Sequence, residues 1–197
     1  KINKESPLVK KHLISILKSK NEVLNSLSQS YKNSFTKKIL QKYKKTLNYR
    51  IIGMGGSTLG TQTIYDFLSH KIKKKFIFID NLQAHPNKSK IKHDNLIVSK
   101  SGNTIETIVN ANIHIKKKDK NIFITENKNS YLYSLAEKLK SDIIHHNNFI
   151  GGRYSVLSEV GMLPAELMGL KPSSFRQLNN LVKNKKFINS LVLNVSS

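Results

Sequence analysis

Five short apolar runs constrain this chain more than any other feature: YRIIG at 49–53, FIFID at 76–80, NLIVS at 95–99, NIFIT at 121–125 and DIIHH at 142–146. Each is rich in β-branched or aromatic residues at successive positions. A strand built from such a run is apolar on both faces and must be covered on both, as buried parallel strands are. Helical candidates at 58–70, 104–118 and 130–140 separate the runs. Strands alternating with helices predict an α/β fold: a doubly wound, five-stranded parallel sheet in the three-layer manner of a Rossmann fold.

Ahead of the sheet the pattern is helical. Ser6 followed by Pro7 reads as a helix start, since proline at the first helical position gives up only an N–H that the helix leaves unused. Leu8, Leu13, Ile16 and Leu17 form one apolar stripe, and Tyr31, Phe35, Ile39, Leu40 and Tyr43 form another. A length of 197 residues suits one core with an appended helical segment. The chain has no cysteine, which excludes a disulfide scaffold and a cysteine-ligated metal, and fits a reducing compartment. No apolar run approaches the roughly 20 residues of a membrane helix, and no signal peptide is visible. The expectation is a cytoplasmic protein with no membrane partner. Lys1 is not methionine and the closing INSLVLNVSS carries no stop signal, so the chain is read as a piece of a longer one.

A net charge of +22 invites a nucleic-acid reading. The basic residues argue otherwise. Only Arg50, Arg153 and Arg176 are arginines, whereas base-edge and bidentate phosphate recognition favours arginine. The lysines are spread through every segment, and the runs KIKKK (71–75) and IKKKDK (115–120) fall at helix ends ahead of strands, where cations suit the dipole and solvent. A solvated basic surface is expected, and no nucleic-acid partner.

In doubly wound sheets ligands bind beyond the carboxyl ends of the strands, so the residues that follow each run carry the function. The first run leads into GMGGSTLG, 53–60. It lacks the Gly-Lys-Ser/Thr ending of a Walker A loop. Gly53 and Gly55 fit a dinucleotide fingerprint and Asp80 ends the next strand, but Thr58 takes the third glycine position. No nucleotide cofactor is expected, and Asp80 reads as a turn former. After the third run, SKSGNTIET sets the hydroxyls of Ser99, Ser101, Thr104 and Thr107 around Lys100 and Gly102 where a helix should begin. Helix capping is the simpler use of Thr104, Thr107 and Glu106, yet it rarely needs four hydroxyls. Hydroxyls and free N–H groups at a positive helix end make a cup for a phosphate dianion. After the fifth run, GGRYSVLSEVGMLPAELMG (151–169) turns tightly at Gly151 and Gly152 into Arg153. Arginine in a lysine-rich chain suggests a task for a planar, permanent charge; a structural salt bridge beneath the turn is the other use.

Together GMGGSTLG, SKSGNTIET and above all GGRYSVLSEVGMLP resemble the phosphoglucose isomerase family, whose domains have the sugar-isomerase (SIS) fold. The resemblance covers about 49–170, which divides the chain into an N-terminal helical segment (1–48), a sugar-phosphate-binding SIS domain (49–170) and a helical extension (171–197) leading to an absent second SIS domain. It implies isomerisation of glucose 6-phosphate to fructose 6-phosphate through a cis-enediolate, in glycolysis and gluconeogenesis, with no metal or other cofactor. Gly56 and Ser57 would line the sugar pocket. Ser99, Ser101 and Thr104, with the Lys100 backbone and Thr107, would hold the phosphate, and Arg153 beside Gly152 would face the reacting carbons. Asn103 stands where many relatives have threonine. The glutamate base and the ring-opening histidine and lysine of the family lie C-terminal to the matched region, so this piece alone is expected to be inactive. Glu106 and Glu159 are read as helix-surface or supporting residues, and His145 and His146 as structural. The resemblance also implies a hexose 6-phosphate substrate and a homodimer for the complete enzyme. A SIS-domain sugar-phosphate sensor is the alternative, but 7–47 shows no compact turn with a recognition helix.

Overall fold

The computed structural model describes residues 6–82, 91–116 and 118–196. In chain order these form α1 (Ser6–Lys18), α2 (Glu22–Ser26), α3 (Lys37–Tyr43), β1 (Asn48–Gly53), α4 (Leu59–Phe67), β2 (Lys75–Ile79), β3 (Asp94–Val98), α5 (Ile105–His114), β4 (Asn121–Thr125), α6 (Tyr131–Lys138), β5 (Asp142–His145), α7 (Glu159–Leu167), α8 (Leu178–Lys183) and α9 (Lys185–Ser196). Short 3₁₀ turns occupy Gly55–Ser57, Ser69–Lys71, Gly152–Leu157 and Pro172–Ser174.

The five strands pair in the order β2-β1-β3-β4-β5, every neighbouring pair parallel. This is the doubly wound sheet that the apolar runs predict. From β1 the chain returns to β2 on one side, and from β3 to β4 on the other. The topological switch point therefore lies between β1 and β3, where Ile52 pairs with Ile97 and Gly53 with Val98.

Alternate residues face opposite layers. Ile52, Ile97 and Phe123 point to one side and are buried with Ala111 of α5 and Leu132 and Ala136 of α6. Ile51, Leu96, Ile122 and Ile144 have the opposite parity and are equally buried. On that side Tyr65 of α4 packs on Phe76 and Phe78 of β2, with ring centroids 5.4 and 6.0 Å apart. Each fully buried isoleucine contributes roughly 1.5–3 kcal/mol relative to an exposed one. Both faces of the sheet thus depend on covering helices.

Pro164 lies inside α7. It has no N–H to give to the carbonyl of Val160 four residues back. The buried hydroxyl of Thr61 in α4 donates to that carbonyl instead, at 3.3 Å. One missing backbone bond thereby becomes a tie between two helices.

Two expected helices are shorter than their patterns. The Tyr31–Tyr43 stripe is helical only from Lys37, because the Thr36 side chain accepts the Ile39 N–H and ends the helix on its N-terminal side. The helix expected over 104–118 stops at His114; Lys117 lies outside the described residues.

The chain divides into two compact units, one running from Lys32 to Pro172 and the other combining residues up to Tyr31 with those from Ser173 onward. The first holds the sheet and α3 to α7. In the second, α1 lies along α9, with the Ser6 and Ser196 hydroxyls 3.1 Å apart. Among the described residues no helix is long and apolar enough to cross a membrane.

Candidate functional site

The loops that follow β1, β3 and β5 meet at the carboxyl edge of the sheet. A Cβ on Gly56 would lie 2.3 Å from the Gly152 carbonyl oxygen, so only glycine lets the backbones of these two loops touch. Ser155 reinforces the contact, its hydroxyl donating to Gly152 O at 2.7 Å and lying 3.4 Å from Gly56 O. On the other flank a Cβ on Gly53 would lie 2.8 Å from the Val98 carbonyl, which brings the Gly53–Ser57 loop beside the start of SKSGN. Lys100 spans the remaining gap: its Nζ donates to Asn148 O at 2.7 Å. Gly56, Ser57, Ser99, Lys100, Ser101, Thr104, Thr107, Gly152 and Arg153 all belong to these three loops or the helix end they open.

Within SKSGN the Ser99 and Thr104 hydroxyls are 2.9 Å apart, and Ser99 Oγ also accepts the Gly102 N–H at 3.2 Å. Ser101 is exposed and its hydroxyl accepts the Asn103 N–H at 3.2 Å. Thr104 stands at the N-cap position of α5, yet its side chain makes no capping bond. The N–H groups of Ile105, Glu106 and Thr107 find no acceptor among the described residues. The Thr107 hydroxyl is buried and likewise without a partner among them. Four hydroxyls at a helix start are therefore not used as caps here. Their arrangement leaves donors where an anion would gain most from the helix dipole.

The three arginines differ sharply. Arg50 is buried on β1 and donates to Asn95 Oδ1 at 3.1 Å and to His114 O at 3.0 Å. Arg176 is buried in the helical unit, its guanidinium 4.9 Å from the centre of the Tyr31 ring. Arg153 is exposed and has no hydrogen bond or ion pair among the described residues. The salt bridge beneath the turn that the sequence left open is absent among those residues.

A carboxylate stands behind the cup, where it would oppose an anion if left bare. Glu126 pairs with Lys128 and lies 3.6 Å from Lys100 Nζ. Burial alone would raise its pKa; the hydrogen bond and charge of Lys128 and the charge of Lys100 outweigh it and hold the pKa below the usual carboxylate value. Two lysines on one carboxylate leave the corner net positive. Neighbouring His146 is buried, and burial holds its pKa below the usual histidine value, with Lys100 acting in the same direction. Its Nδ1 lies 3.1 Å from Asn147 O. His145 is exposed, its Nδ1 accepting the Asn127 N–H.

Glu126, Lys128 and Ser130 follow the fourth strand and escaped the sequence reading, although the rule applied to the other strand ends would have reached them. Glu159 is not a surface residue: it is 1% exposed. Glu106 is half-buried on α5. Among the described residues no group of three or more His, Asp or Glu side chains gathers in an arrangement that could hold a metal ion. Concavity by itself points elsewhere, to a hollow of about 430 Å³ in the helical unit lined by residues such as Leu17, Lys20, Asn21 and Leu24. Its lining includes the start of α2, where the Asn21 side chain accepts the Val23 and Leu24 N–H groups.

The phosphoglucose isomerase family model matches residues 15–191. Among curated relatives, the glucose-6-phosphate isomerase of Methanocaldococcus jannaschii is 35% identical over 174 residues, which are 78% of this chain and 43% of that protein. The Acholeplasma laidlawii enzyme of the same name is 36% identical over 155 residues, 68% of this chain and 36% of that protein. The chain thus spans less than half the length of these relatives. Among solved structures, a hypothetical protein from Thermus thermophilus superposes with a TM-score of 0.74 at 20% identity, over 97% of this chain and 53% of that one. Tagatose-6-phosphate ketose/aldose isomerase from Escherichia coli gives 0.54 at 14% identity, over 95% and 51%. At such identities the likeness is one of fold, that of the SIS-domain phosphosugar isomerases.

Proposed function

The chain belongs to the phosphoglucose isomerase family, and from that premise we propose that the complete protein interconverts glucose 6-phosphate and fructose 6-phosphate, a step of glycolysis and gluconeogenesis. In this reading 49–170 is the first of two SIS domains, and the complete enzyme is a cytoplasmic homodimer. The observation that carries the proposal is the pairing, on loops joined by the Lys100 bond to Asn148 O, of an Arg153 that has no partner among the described residues with an α5 whose first turn has no cap among them. An anion site and a free cation at neighbouring places suit a substrate with a phosphate at one end and a developing oxyanion at the other.

The chemistry follows from those two groups. The hydroxyls of Ser99, Ser101 and Thr104, the Lys100 backbone and the first turn of α5 with Thr107 hold the phosphate, which takes no part in the reaction. Its binding orients the far end of the sugar. Gly56, Ser57 and Gly152 line the path between. A base takes the proton from the carbon next to the carbonyl, the C–H electrons form the enediol double bond, and the carbonyl oxygen becomes anionic. The Arg153 guanidinium stabilises that oxygen. The neighbouring hydroxyl gives its proton to that oxygen, and return of the first proton to the former carbonyl carbon leaves the carbonyl on its neighbour and completes the isomerisation. The base belongs to the remainder of the protein, so the 197-residue piece contributes binding and oxyanion stabilisation but lacks a step worth about a hundredfold to ten-thousandfold.

A coupled isomerase assay tests this. The complete protein is expected to convert glucose 6-phosphate without added metal or nucleotide, and residues 1–197 alone to be nearly inactive. In the complete protein Arg153→Lys should reduce turnover far more than phosphate binding, because charge survives and the planar fork does not. Full activity in the short piece would mean that a base lies within it.

A further inference from the structure

The turn that delivers Arg153 to the carboxyl edge is held from outside itself. Glu159 is the first residue of α7 and is buried. Its Oε1 accepts the Asn147 N–H at 2.7 Å. A carboxylate in the first turn of a helix faces the positive end of the dipole, and a charge-assisted bond to a backbone N–H is among the stronger hydrogen bonds a protein makes. Ser158, which precedes it, does not cap α7; its hydroxyl donates to Ser155 O. The Glu159 bond closes a ring of chain from Asn147 to Glu159, with Arg153 midway round it.

Two further bonds brace the ring: Lys100 Nζ to Asn148 O and Ser155 Oγ to Gly152 O, each 2.7 Å. Inside it Asn147 Oδ1 accepts the Phe149 N–H at 2.9 Å and Asn147 O accepts the Ile150 N–H at 3.2 Å. Arg153 contributes no bond of its own among the described residues, so its place is set by these backbone anchors. A group placed by its backbone moves when an anchor is released, and a shift of an ångström is enough to impair catalysis.

We infer that Glu159 is a positioning residue for Arg153, acting through the Asn147 N–H. This rests on the isomerase reading above for its consequence, which is that Glu159 governs turnover while the phosphate cup, built on β3 and α5, keeps its own hydrogen bonds. The complete protein and its Glu159→Ala and Glu159→Gln variants are compared in the isomerase assay, with inorganic phosphate as the inhibitor. In Glu159→Ala, kcat is expected to fall about tenfold to a hundredfold while phosphate inhibition stays within about twofold. Glu159→Gln keeps an oxygen acceptor and should recover most of the loss. An unchanged kcat in Glu159→Ala, or equal losses of kcat and phosphate affinity, overturns the inference.

Amide hydrogen exchange supplies a readout independent of activity. The N–H groups of Asn147, Phe149 and Ile150, which have acceptors within the ring, should exchange slowly in the wild type and faster in Glu159→Ala, with Ser99 to Thr104 unchanged; identical exchange in both proteins also overturns it. If Glu159→Ala does not fold, Glu159→Asp, which keeps the charge and draws back the acceptor, carries the same comparison. A wild type that isomerises no hexose 6-phosphate removes the proposed reaction and leaves the exchange result to decide the role of Glu159.

Discussion

Helices α5 and α6 both begin at the carboxyl edge of the sheet, after neighbouring strands, and their first turns are finished in opposite ways. At α6 the Tyr131 N–H is taken by Asn103 Oδ1 at 2.9 Å, the Leu132 N–H by Gly102 O at 3.0 Å and the Tyr133 N–H by Ser130 Oγ at 3.4 Å. At α5 the Thr104 side chain caps nothing and the next three N–H groups find no acceptor among the described residues. Two of the acceptors that complete α6 come from the very loop that opens α5. A helix end with all its donors paired is a structural joint; one with donors left over can bind an anion. Asn103, whose Oδ1 accepts the Tyr131 N–H, belongs to the joint.

The contrast can be broken first on the open side. Replacing Ser99 and Thr104 together by alanine removes two hydroxyls that would each contribute roughly 1.5–3 kcal/mol to a bound dianion, so phosphate affinity should fall at least tenfold. Calorimetry with glucose 6-phosphate on the complete protein measures it, and unchanged affinity would make α5 a structural joint as well.

Next comes the residue shared by both ends. Gly102 has φ +69°, and a Cβ there would lie 2.1 Å from Ser130 Oγ and 2.9 Å from Thr125 Oγ1. Gly102→Ala combines left-handed strain with overpacking and should cost about 3 kcal/mol in chemical denaturation. On the filled side alone, Ser130→Ala should cost about 1 kcal/mol of stability as a lost cap and leave phosphate affinity unchanged. Loss of affinity in that variant would show that the two helix ends act as one site.

The smallest effect is spread over pH. His146 is held below its ordinary value of 6.5, first by burial and also by Lys100, so the unfolded chain binds its proton more readily than the folded one. Stability should therefore fall as pH drops from about 6.5 toward the lowered pKa and then level off for this group. His93 and His114, lowered by burial and by Arg50, act in the same sense. Glu126, whose pKa is lowered, contributes above its unfolded value and loses its contribution below it. Thermal melts from pH 7 to 5 should show the histidine slope, and His146→Gln should flatten part of it; an unaltered slope assigns it to the other two.

Each strand begins or ends within one residue of its apolar run, and the order of runs and helices gives the doubly wound sheet. That much was legible because buried parallel strands need apolar side chains on both faces, a demand written locally in the chain. The strand-end rule also found the three loops. It was less informative about Tyr31 and Phe35, which continue an apolar stripe that Thr36 interrupts, since periodicity does not register where a cap falls.

Whether a polar side chain has a partner was decided only by tertiary structure. The turn at Gly151 and Gly152 marks Arg153 out in the chain but leaves a salt bridge beneath it open; the fold buries Arg50 and Arg176 and leaves Arg153 exposed. Thr104 and Ser130 are both plausible caps, and only Ser130 is used. Glu159 reads in the chain as either a helix-surface or a supporting residue, and the turn after β5 decides between them by bringing the Asn147 N–H, twelve positions back along the chain, to its carboxylate. Burial patterns repeat along a segment and can be read from it, whereas a hydrogen bond depends on where two distant segments place single atoms, within a few tenths of an ångström.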